Sequence, residues 1–104
     1  MHFRLHADYE CYPLWIVGDD GLKNVDPQSV ESVPATLAQR INKWGEIYDA
    51  TYVPDDPAES GFDTAADKKA FDEAGEKLWQ ELRAALGDQH RVEYFSVVRG
   101  WMGR

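Results

Sequence analysis

At 104 residues, with 43% hydrophobic and 29% charged side chains, the chain has the size and composition of one globular domain and is too apolar to be a disordered segment. Its formal net charge of −8 and sequence pI of about 4.7 repel phosphate backbones, which argues against nucleic-acid binding and for a basic partner; the plainer alternative is a charge that serves solubility. The single cysteine, Cys11, excludes an internal disulfide, and no run of the sequence reaches the roughly 18 apolar residues that span a membrane.

The N-terminus, MHFRLHADYE, is too charged for the hydrophobic part of a signal peptide, so the expected location is the cytosol. Within it, residues 2–9 alternate. Phe3, Leu5, Ala7 and Tyr9 fall on one side and His2, Arg4, His6 and Asp8 on the other, the period-two signature of a half-buried strand. The dense apolar run YPLWIVG forms a second strand, closed by the turn-forming GDDG at 18–21. Pro13 lacks an N–H and belongs at a strand start, an edge or a bulge. The two strands make either a hairpin or one long bent strand. Residues 22–33 show no period and read as a loop with at most one helical turn.

Pro34 suits a first helical turn, and Leu37, Ile41, Trp44, Ile47 and Tyr48 then give the amphipathic spacing of a helix over 34–49. Thr36 and Gln39 offer a capping pair for it. The stretch 51–63, with two prolines, is a stiffened loop. The best-patterned segment follows over 64–86, where Phe71, Ala74, Gly75, Leu78, Leu82, Ala85 and Leu86 share one helical stripe. Thr64 with Asp67 reads as its capping box and Gly87 as its C-terminal closure. In HRVEYFSVV at 90–98, Val92, Tyr94 and Ser96 face one way, with Glu93, Phe95 and Val97 on the other. The tail RGWMGR leaves Trp101 unplaced. The order β-β-α-α-β predicts a single α/β (α+β) domain over 1–104. Its simplest form is a small antiparallel sheet with two helices packed on one face and the last strand beside the first.

Reactive motifs are absent. His2 and His6 share a strand face and would need Asp8 or His90 to hold a metal; without tight spacing, two exposed strand residues are the simpler reading. Cys11 with a histidine could form a nucleophile–base pair, but no local signature supports it, and a lone cysteine is most often a small buried hydrophobe. There is no nucleophile elbow or glycine-rich phosphate loop, and DDPAES is not an EF-hand loop. The sequence thus predicts no catalytic residue, metal or cofactor.

Acid is the informative feature: eight carboxylates and two lysines lie between Asp55 and Glu76. This is either a solvated helix face complementing the helix dipole or a surface that meets a basic protein and speeds encounter. The candidate partner contacts are Asp55, Asp56, Glu59, Asp63, Asp72, Glu73 and Glu76, with Trp79 or Tyr52 as aromatic anchors. Trp79 lies well off the centre of the apolar stripe, so its other fate is partial burial against a loop.

Taken together, Asp8-Tyr9-x-Cys11-Tyr12-Pro13-Leu14-Trp15, Asn24-Val25-x-Pro27, Trp44 followed by Tyr48-Asp49-x-Thr51, and Asp55-Asp56-Pro57-x-x-Ser60-Gly61-Phe62 resemble one family of small bacterial proteins over residues 8–62. Proteins of this size and acidity are similar to the immunity proteins of contact-dependent growth inhibition and other polymorphic toxin systems. The resemblance implies a cytoplasmic non-enzyme that binds the C-terminal domain of a cognate toxin, a basic protein and often a nuclease, in a one-to-one complex. Nuclease clefts are basic for phosphate, and an inhibitor's carboxylates can take the place of phosphates there. A reading from another class is a small enzyme or ligand-binding domain with a pocket between sheet and helices, lined by His6, Tyr9, Cys11, Tyr12 and Trp15. A third is a self-associating module.

Overall fold

In the computed structural model, which describes residues 1–53, 55 and 61–103, the alternation at the N-terminus becomes strand β1 (His2–Leu5), with Phe3 and Leu5 buried. It is followed by β2 (Leu14–Gly18), β3 (Gly21–Val25), a 3-10 turn (Pro27–Ser29), α1 (Ala35–Asp49), α2 (Ala65–Leu86), β4 (Arg91–Ser96) and β5 (Gly100–Met102). The strands lie in the order β3-β2-β1-β4-β5. β1 is central, antiparallel to β2 with Leu5 opposite Leu14, and parallel to β4 with Leu5 opposite Tyr94.

The expected three-stranded antiparallel sheet is therefore corrected to a mixed sheet of five strands. The GDDG turn leads straight into β3, with Gly21 at φ 117° in the left-handed region that glycine tolerates. β3 is an edge strand whose Leu22 and Lys23 are exposed, so it carries no alternation to read. The tail forms β5: Ser96 Oγ accepts the N–H groups of Val98 and Arg99, and Gly100 at φ 81° completes the turn that sets Trp101 opposite Phe95. β4 runs parallel to β1 because two helices carry the chain across one face before it returns. The Arg91 N–H then donates to the Met1 carbonyl at 2.9 Å. The hairpin reading of the first two strands holds, and residues 6–13 form its connection, closed by His6 N–H to Pro13 O at 2.9 Å.

Both helices appear where periodicity predicts. Thr64 Oγ1 accepts the Asp67 N–H at 3.0 Å, and Gly87, at φ 80°, donates its N–H to the Arg83 carbonyl. α1 starts at Ala35 without a side-chain cap, so the Thr36–Gln39 pair does not form. One core fills the space between helices and sheet. Trp44 of α1 stacks on Phe71 of α2 at 4.6 Å, and Trp79 stacks on Tyr94 of β4 at 5.7 Å. Gly75 lets α2 settle onto this layer: a Cβ there would lie 2.4 Å from Tyr94 Oη and 2.5 Å from Trp44 Cζ2.

Candidate partner-binding surface

α2 divides its carboxylates between solvent and interior. Asp63, Asp67 and Glu73 are exposed, as is Asp55, while Asp56 and Glu59 lie outside the described residues. Asp72 is only 4% exposed. It accepts a hydrogen bond from Tyr94 Oη at 2.7 Å and approaches Arg99 at 3.5 Å. Glu76, one turn on and half-buried, holds the same guanidinium at 2.5 Å. Asp72 and Glu76 therefore clamp the β4–β5 turn onto α2. Burial, reinforced by the bond to Asp72, pushes the Tyr94 hydroxyl far above its ordinary range and keeps it a neutral donor.

Trp79 is also interior, corrected from a loop contact or an anchor to a buried strut. It is 4% exposed and donates Nε1–H to the Val92 carbonyl at 2.9 Å, with the Arg83 guanidinium 5.1 Å from its ring centroid. Tyr52 is half-buried and stacks on Tyr9 at 4.7 Å. Among the described residues of the 55–76 stretch, the outward-facing acids are thus Asp55, Asp63, Asp67 and Glu73, with Glu76 partly neutralised by Arg99.

Several residues that carry the sequence resemblance meet in one structural knot. Tyr9 lies between Tyr48 and Tyr52, at 4.6 and 4.7 Å, and shares a hydrogen bond with Thr51. Asp49 Oδ1 accepts the Glu10 N–H at 2.8 Å, which helps hold Glu10 at φ 61°. Asn24 accepts the Tyr12 N–H and donates to the Tyr12 and Leu14 carbonyls. Beside the knot is a cleft of about 570 Å³ lined by Glu10, Cys11, Tyr12, Asn42, Glu46 and Asp49 among others. Burial, then the charges of Asp8, Asp49 and Glu10, raise the Cys11 thiol and make it a poor nucleophile. The pocket imagined from His6, Tyr9, Cys11, Tyr12 and Trp15 is not assembled. Trp15 pairs with Arg4 and donates to the His6 carbonyl on the far side of the sheet.

That far side carries no helix among the described residues. His2, Arg4 and Arg91 converge there on Glu93, with Arg4 Nε at 3.2 Å and Arg91 at 3.5 Å. Burial pushes the Glu93 carboxyl up, but hydrogen bonds from His2 and Arg4 and the nearby positive charge outweigh it and hold it below the usual range. His6 stands 4.5 Å from Phe95 and 5.3 Å from Trp101, and Arg4 covers the Trp101 ring at 4.8 Å. Burial lowers the His6 pKa, with Asp8 opposing and Arg4 assisting. The two histidines share a face, yet one serves Glu93 and the other a ring cluster. Among the described residues no three His, Cys, Asp or Glu side chains gather as metal ligands.

A groove of about 510 Å³ runs between the end of α1 and the first half of α2, lined by Trp44, Ile47, Phe62, Ala70, Phe71 and Ala74 among others. Among the described residues its lining includes the carboxylates Asp63 and Asp67 and no cation. Ile47 is 55% exposed and Ala74 is exposed, although helical spacing aligns both with the buried stripes. Periodicity alone missed this groove because α1 and α2 meet through Trp44 and Phe71, leaving Ile47 and Ala74 outside the contact.

A family model described as Serratia CdiI immunity protein-like matches residues 1–97. No curated protein matches the chain. Among the described residues no helix is long and apolar enough to cross a membrane.

Proposed function

The chain belongs to the Serratia CdiI immunity protein-like family of contact-dependent inhibition systems, and from that premise we propose that it neutralises a cognate toxin domain by binding it, one to one, through the acidic outer side of its helical layer. The family match over residues 1–97 carries this reading. Charge supports it: the chain bears −8, and Asp55, Asp63, Asp67 and Glu73 face solvent. A toxin with a basic, phosphate-binding cleft, such as a nuclease, complements that surface, and long-range attraction speeds the encounter. The protein then acts by occupation in the cytosol and needs no reactive group of its own.

Calorimetry with the toxin domain encoded beside it, at low and high salt, tests the proposal. Tight, salt-sensitive one-to-one binding together with loss of toxicity supports it. A toxin domain that stays active and unbound in the presence of the protein refutes it.

A further inference from the structure

Of the surfaces left open, the groove between α1 and α2 joins apolar shape to one sign of charge. Its floor is rigid: Trp44 and Phe71 stack at 4.6 Å and nearly parallel, Phe62 lies 5.0 Å from Phe71, and the Trp44 indole is pinned by its hydrogen bond to the Phe71 carbonyl at 3.0 Å. Ile47 rises beside it, 55% exposed, while the small side chains of Ala70 and Ala74 keep the α2 wall low. Asp63 and Asp67 stand at its α2 N-terminal end. An apolar slot with a charged margin is the anatomy of an energetic centre in a protein interface, where an anchor side chain is desolvated and the rim sets register. With carboxylates and no cation among the described lining residues, the matching surface presents an apolar side chain next to lysine or arginine.

We infer that this groove receives an apolar anchor of the cognate toxin domain, flanked by basic residues that pair with Asp63 and Asp67. The inference rests on the immunity reading and places the tightest part of the contact in the groove, with the remaining acids acting mainly in steering.

The intact chain with Ile47→Ala, and separately with Ala74→Arg, tests this by calorimetry against the toxin domain. Both positions are exposed, so melting temperatures should stay within a few degrees of wild type. Each variant is expected to bind about tenfold more weakly or worse, as for truncating or blocking an interface anchor, and the loss should persist at high salt. Asp63→Asn with Asp67→Asn should lose affinity chiefly at low salt. If wild type binds the toxin and both groove variants bind it equally well, the groove is not the docking site and the immunity reading stands. If wild type does not bind, both fall. Light scattering supplies a further arm: a concentration-dependent dimer abolished by Ile47→Ala would assign the groove to a second copy and overturn the toxin anchor.

Discussion

Gly75→Ala offers a sharp check on how the helical layer sits on the sheet. The added methyl would start 2.4 Å from Tyr94 Oη and 2.5 Å from Trp44 Cζ2, about 1 Å inside ordinary contact. Neither neighbour can yield cheaply. Tyr94 Oη is held by Asp72 at 2.7 Å, and Trp44 is held by the Phe71 carbonyl and the Phe71 ring. The relief left is for α2 to lift from the sheet, which forfeits a large part of the dispersion contact around it. Overpacking of this kind costs about 1–3 kcal/mol, and with both partners fixed the upper end applies. The better helix propensity of alanine returns about 1 kcal/mol. The net loss of about 2 kcal/mol corresponds to a fall in Tm of roughly 8–16 °C for a domain of this size. Urea unfolding reads it directly as a lower midpoint at unchanged slope. Tyr94→Phe removes the nearest of the clashing atoms, so the double variant should lose less than the sum of the singles. An alanine variant as stable as wild type would refute the close approach of α2 to Tyr94 and Trp44.

Trp79→Phe should lower stability by about 1–3 kcal/mol, because the Val92 carbonyl loses its buried donor, while toxin affinity measured on the folded variant stays unchanged. The combined variant Asp55→Asn, Glu73→Gln, at two exposed positions, should keep its Tm within a few degrees yet associate more slowly, with a flatter salt dependence by stopped flow; an unaltered association rate would rule out the steering role. Folding favours neutral His6, whose pKa lies below the ordinary 6.5. Its stabilising contribution is therefore complete above that value and is lost as pH falls below it. Glu93, with its carboxyl held below the ordinary 4.5, adds a contribution present above that value and lost as pH falls through its own lower pKa. Urea midpoints at about pH 7.5 and about pH 5.5 should show the first effect, and His6→Gln should flatten it; a slope that survives the substitution would exclude His6 as its source.

Much of the architecture was legible along the chain. The stripe from Phe71 to Leu86, the Thr64 cap and Gly87 mark α2 because capping and 3.6-residue spacing are local properties. The alternation of Val92, Tyr94 and Ser96 likewise reports the buried side of β4. β3 and β5 escaped because edge strands bury too little to alternate. The candidate surface was legible only as an excess of acid.

Local pattern determined which elements form and which of their faces are apolar, because both follow from the geometry of a few neighbouring residues. Only the tertiary structure decided where the individual groups ended. Asp72 belongs by composition to the acidic surface, but Tyr94, 22 positions on, and Arg99, 27 positions on, enclose it. Trp79 went inside because β4 offered it the Val92 carbonyl. Ile47 stayed outside because Trp44 and Phe71 already filled the contact between the helices. Burial depends on what the rest of the fold brings alongside, and no periodicity within one element contains that information.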